Sequence, residues 1–199
     1  MKLLSFLALS TLVTPAFAQE MRQMGSHEHG VGQLDIAFDG TQIAMELHAP
    51  GADIVGFEYA AQSADDVAKV DAALLVLARP LDLFALPDAA QCTVVTANVE
   101  LESEGHGDDH EDHADEHDHA DEHDHDGHDD HAQDAGHTEF HAEYLLNCEN
   151  VAAASAISFA YFAAFPNARE IDVQVISDAG AMALEVARDT PTLDLSDLQ

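Results

Sequence analysis

The sequence predicts an α+β protein: two small subdomains of β-hairpins, each packed on one helix, with a disordered His/Asp-rich loop inserted between them. Three observations predict it. Apolar residues alternate with polar ones over Val31–His48 and again over Ile171–Val186, each stretch broken by a turn signal. Val67, Val70, Leu74 and Leu77 recur at helical spacing behind Ser63. Between these parts, Gly105 to His137 reads GHGDDHEDHADEHDHADEHDHDGHDDHAQDAGH, in which scarcely any residue suits a hydrophobic core.

Taken in order, residues 1–18 read as a cleaved signal peptide. Lys2 gives a positive start, Leu3 to Val13 is apolar but too short to span a bilayer, and Ala16-Phe17-Ala18 supplies the small-x-small cleavage pattern. A mature chain starting near Gln19 is expected in a bacterial periplasm, with no membrane span. Residues 19–101 form the first subdomain. In its hairpin Leu34, Ile36 and Phe38 face inward, Asp39-Gly40 makes the turn, and Ile43, Met45 and Leu47 follow. A capping box at Ser63-Ala-Asp-Asp66 starts the helix, which ends before Pro80. Cys92 to Leu101 reads as a strand entering the string at 102–136, and Thr138 to Cys148 as a strand leaving it.

Residues 137–199 form the second subdomain. Asn150 caps an expected helix over Val151 to Ala164, ended by Phe165-Pro166, and a second hairpin turns at Asp178-Ala-Gly180. Phe84-Ala-Leu-Pro-Asp-Ala-Ala echoes Phe162-Ala-Ala-Phe-Pro-Asn-Ala. An ancient duplication and chance similarity in Ala-rich sequence account for the echo equally well.

Cys92 and Cys148 lie just outside the two ends of the string. In an oxidising compartment such a pair reads as a disulfide, which would close the string into a covalent loop. Cys148 keeps the inward phase of its strand but Cys92 is out of phase with Val95, Val99 and Leu101, so the bridge requires a bulge or bend near Cys92. Two buried free thiols are the other reading.

The formal net charge of −33, from 39 acidic and 6 basic residues, argues against nucleic acid and anionic lipid as partners and favours cations. No lysine or arginine occurs between Arg79 and Arg169. The string has too little hydrophobicity to offset the entropy of ordering, so it is expected to be disordered without ligand. A solvated linker would explain its carboxylates but not its nine histidines: His106, His110, His113, His117, His119, His123, His125, His128 and His131. Imidazole binds zinc, and carboxylates add charge and orient the ring through its other nitrogen. Steps such as His117-Asp118-His119 put both groups within reach of one ion, giving several sites of weak to moderate affinity. Nickel and copper also suit imidazole; an exported chain without Met clusters fits zinc best.

A more ordered site is expected on the first hairpin. With Phe38 facing Thr41, Val31 lies opposite His48 and His29 becomes its diagonal neighbour, roughly 7–8 Å away. That is close enough for two imidazoles to share a zinc ion, with His27 extending the row and one ligand position left open. Surface histidines near a frayed end are the bland alternative. His137 and His141, flanking Glu139 on one strand face, either complete this site or anchor the string's exit. No H-E-x-x-H, G-x-S-x-G or paired nucleophile and base is present, so an enzyme is not expected.

The chain resembles the ZrgA-like zinc-regulated proteins of bacterial periplasms. The resemblance rests on His27-Glu-His29-Gly30, a hairpin running into Ala49-Pro-Gly-Ala-Asp-Ile-Val-Gly-Phe-Glu58, and Leu83-Phe84. It continues with a Cys before a His/Asp string, His137 and His141 before Tyr144 and Cys148, and Phe165-Pro166. In that family a histidine often follows G-F-E, where this chain has Tyr59. The resemblance implies an accessory zinc-binding protein, made under zinc limitation, that passes zinc to the solute-binding protein of a high-affinity ABC importer. A passive periplasmic buffer or detoxification protein for zinc, nickel or copper is the alternative. The importer's own solute-binding protein is a third reading, which the chain's length disfavours.

Overall fold

The computed structural model describes residues 28–103 and 137–198. The expected leader, His27 and the nine string histidines lie outside the described residues. Within them the protein is mostly β-sheet with a few helices.

The first alternating stretch folds as β1 (Val31–Asp39) and β2 (Gln42–Pro50), antiparallel neighbours whose Leu34, Ile36, Ile43, Met45 and Leu47 are buried. The turn is one residue later than the sequence predicts. Asp39 faces Gln42, so Gly40 and Thr41 are the loop, and Gly40 alone takes the positive φ (57°). A type II′ turn needs that conformation only at its first central residue, whereas an Asp-Gly type I′ turn would need it at Asp39 as well. The later turn sets Gln33, not Val31, opposite His48.

The chain then passes through the one-turn helix α1 (Gly51–Ile54) to α2 (Ala64–Leu77), where the Ser63 hydroxyl accepts the Asp66 N–H as expected of a cap. After α3 (Pro80–Leu83) and β3 (Phe84–Ala85) come the two long strands, β4 (Cys92–Ser103) and β5 (Thr138–Cys148). They pair antiparallel from Cys92↔Cys148 to Ser103↔Thr138, so the string leaves and re-enters at adjacent positions on the tip of one hairpin. The disulfide Cys92–Cys148 is formed at the opposite end of that ladder. The bulge it requires lies between Val94 and Thr96, after which Ala97, Val99 and Leu101 recover the inward phase.

The expected helix over Val151–Ala164 is corrected. A 3₁₀ turn (Val151–Ala153) leads into β6 (Ala156–Phe159), and only Tyr161–Ala164 is helical (α4). Within the Ala-rich run Ile157 and Phe159 alternate with Ser158, and the strand pairs with β3 on one side and β9 (Thr192–Asp194) on the other. The pairing overrides alanine's helix propensity. The second hairpin is present as β7 (Glu170–Ser177) and β8 (Gly180–Ala187).

Strands from both sides of the string interleave in one six-stranded sheet, ordered β4-β5-β2-β1-β7-β8, with β1 and β7 parallel. The two halves therefore complete each other's sheet instead of closing two separate ones. A single core joins the sheet's inner face to a second layer made by α2, the three-stranded sheet β3-β6-β9 and an aromatic cluster of Phe84, Phe159, Tyr161, Phe162 and Phe165. The buried Tyr144 hydroxyl donates to the Leu77 carbonyl at 3.0 Å, tying β5 to the end of α2. The other face of the sheet carries most of the polar side chains, beside Ala37, Ala44, Leu145 and Ile176.

Candidate metal centre

Directly opposed residues in a sheet project on the same side. One rung therefore runs across the outer face as Glu100, His141, His48, Gln33, Asp172 and Glu185, one residue from each strand. The next rung places Glu143 beside Glu46. At the centre, the His48 and His141 rings stack with centroids 4.5 Å apart and planes 17° apart. Both Nε2 atoms address one oxygen, Glu46 Oε1, at 3.1 Å from His48 and 3.2 Å from His141.

Each ring also has a carboxylate at its other nitrogen. His48 Nδ1 lies 3.4 Å from Glu139 Oε2, and His141 Nδ1 lies 3.7 Å from Glu100 and 3.6 Å from Glu102. The Glu139 carboxylate raises the His48 pKa to about 9; burial opposes the rise and Glu46 adds to it. The hydrogen bond from His48 in turn holds Glu46 below the usual carboxylate range.

The donor set fits a zinc ion as cargo. One ligand atom from each of Glu46, His48 and His141 lies within 4.8 Å of the others. Zinc–nitrogen bonds of about 2.0–2.1 Å need the two nitrogens only about 3.3 Å apart in a tetrahedral site. The outer carboxylates on both rings are the partners that metal-bound imidazoles ordinarily have, and three protein ligands leave a fourth position for exchange. His141 with Glu100 and Glu102 forms a second, overlapping group within the same distance.

The structure thus brings together His48 and His141 but not His29 and His48, which sequence reasoning paired. With Gln33 opposite His48, His29 falls beyond the strand and faces Glu58 Oε1 at 2.9 Å. His137 Nδ1 faces the other oxygen of the same carboxylate at 2.8 Å. Burial works against ionising Glu58, yet the two imidazoles hold its pKa low. Tyr59, in the place where the family often has histidine, stacks on Phe57 and donates its hydroxyl to Asp66 at 3.4 Å. The carboxylates Glu46, Glu58, Glu100 and Glu102 were missed from sequence, although Glu46-x-His48 shares the strand period and so a face; Glu139 was placed on the face of His137 and His141 but given no role.

The fold and this group define a class: a β-rich protein with a candidate histidine–carboxylate metal group on the open face of its sheet. The chain belongs to the ZrgA family of zinc uptake proteins, whose family model matches residues 26–195. No curated protein matches it. Family membership assigns it a role in zinc uptake. The disulfide, and the lack of any helix long and apolar enough to cross a membrane among the described residues, are compatible with an exported protein.

Proposed function

We propose that this chain is a periplasmic zinc-binding accessory protein, not an enzyme, that captures zinc and assists its delivery to the solute-binding protein of an ABC importer. The observation that carries the reading is the Glu46–His48–His141 group with its outer carboxylates, on a rigid sheet beside the exit of a histidine-rich string. In this reading the string collects zinc by mass action and the sheet site holds it with one position open for a receiving ligand. Chelator-stripped protein titrated with zinc against a competing chelator tests the capture step. His48→Ala with His141→Ala is expected to remove the tightest site and leave the weaker string sites. Unchanged tight binding in that variant refutes the assignment. Delivery is tested by mixing the zinc-loaded protein with a metal-free importer receptor in the presence of chelator. Transfer no faster than release to the chelator alone would leave a passive buffer as the better account.

A further inference from the structure

Glu58 is an unusual carboxylate for so acidic a surface. Its two oxygens are each taken by an imidazole, one from either side of the string: His29 before β1 and His137 at the string's exit. Three backbone features fix this meeting. The buried Asp53, in α1, accepts the Gly30 N–H on Oδ1 at 2.8 Å, and the Gly30 carbonyl accepts the N–H groups of Arg169 and Glu170, so the residue after His29 is held on both sides. Gly51 lies so close to β5 that a Cβ there would come 2.4 Å from the Thr138 hydroxyl, which presses the segment leading to Glu58 against the residue next to His137. Phe57, beside Glu58, is buried in the core. The backbone is thus anchored, while the His29 and His137 side chains stay 67% and 60% exposed, with room for their rings to turn.

We infer that His29, Glu58 and His137 form a second site for a borderline divalent cation such as zinc, separate from Glu46–His48–His141. Two nitrogens and a carboxylate oxygen are a zinc donor set, and the Glu58 carboxylate already lies between both rings. An ion entering there exchanges two ion-pair contacts for three bonds; the ligand atoms of the three residues do not all lie within 4.8 Å of one another, so the exposed rings turn to close on it. The position gives the site a role: His137 directly follows the string, and the first site lies further along the same face of β5 at Glu139 and His141. A cation leaving the string meets the Glu58 site before the Glu46 site. This inference deepens the zinc-capture reading and takes only the identity of the ion from it.

The test follows histidine ring resonances by NMR in the full-length, chelator-stripped protein during a zinc titration. His29 and His137 are assigned from His29→Gln and His137→Gln, and His48 and His141 likewise. The expected result is that His29 and His137 shift together along one saturation curve, and that Glu58→Gln, isosteric and without the charge, weakens that curve at least about tenfold. His48 and His141 should respond as in wild type. If His29 and His137 do not move with zinc, saturate at different concentrations, or move identically in Glu58→Gln, the second site is overturned. Absence of response at His48 and His141 would instead overturn the first site. Unchanged amide dispersion in Glu58→Gln separates loss of a ligand from loss of fold, and Asp53→Asn, which keeps an acceptor for Gly30, should retain the shared curve.

Discussion

On the proposed zinc site, protons and zinc would compete for the His48 imidazole, and the surroundings of that ring set the pH range of the competition. Its folded pKa is raised to about 9 by Glu139 and Glu46, against an ordinary value of 6.5. The folded apo protein therefore binds this proton more tightly than the unfolded chain does. The resulting stability is fully present below pH 6.5 and is lost as pH rises through 9. With the His48 side chain only 25% exposed, the upper bound is about 3 kcal/mol, taking about 1.4 kcal/mol for each tenfold gain in proton affinity. Zinc requires the neutral ring, so its apparent affinity follows the opposite course. At pH 7 it should be about 100-fold below its alkaline plateau, rising about tenfold with each further pH step of one until pH 9. Two assays check this. Urea unfolding of chelator-stripped wild type and His48→Gln at pH 6.5 and 9 should show an excess loss of stability in wild type; the string and other titrating groups cancel in the difference. Calorimetry at pH 7 in buffers of different ionisation enthalpy should show about one proton released per zinc at the tightest site. Equal pH dependence in the two proteins, together with no proton release, would refute the reasoning.

Three further perturbations have definite expected outcomes. Glu139→Gln removes the largest influence raising the His48 pKa, so the affinity rise should move towards pH 6.5, while affinity at pH 9, measured by chelator competition, falls about tenfold or more as the ring loses its orienting partner. Cys92→Ser with Cys148→Ser opens a loop with a sequence separation of 56. The chain-entropy relation gives about 4 kcal/mol for that loop in urea unfolding. Gly51→Ala forces a methyl group into the Thr138 side chain and the Phe57 carbonyl. It should cost about 1–3 kcal/mol in thermal or urea unfolding and weaken zinc binding at His137 more than at His141.

How much of this was legible depended on whether the deciding contact was local. Strand periodicity, the Ser63 cap and the Cys92 phase break were all visible because each is written within about ten residues. The β-hairpin site was not, because one residue of turn placement decides which side chain stands opposite His48. Asp39-Gly40 resembles a type I′ turn so closely that the II′ alternative at Gly40-Thr41 had no competing local signal. The true partner, His141, comes from the far side of the string, and no spacing rule connects residues across a β2–β5 pairing of that sequence separation. Ile157-Ser158-Phe159 lay hidden for the same reason: its strand exists only because Phe84 and Leu193 flank it. The carboxylates were the deeper omission. Histidines draw attention as ligands, but a glutamate among 39 acidic residues carries no mark until the sheet shows which imidazole it faces.

The disulfide and the metal centre are linked through the edge of the sheet. β4 is an edge strand whose sheet neighbour is β5, and its outward residues Glu100 and Glu102 reach His141 near the end where the string departs. That string is rich in carboxylates and contains no lysine or arginine to offset them, so the strand ends it joins carry an excess of negative charge in sequence. Repulsion at the tip of a hairpin acts to peel the edge strand away or to slip its register, and a slip of one residue would turn Glu100 and Glu102 to the other face. The Cys92–Cys148 bond fixes the far end of the same ladder, and the bulge after Val94 sets the phase between the two. The cross-link therefore helps to hold the register in which Glu100 and Glu102 face His141. If the proposed site binds zinc, reducing the disulfide should weaken that binding at His141, read by chelator competition, even under conditions where the protein remains folded.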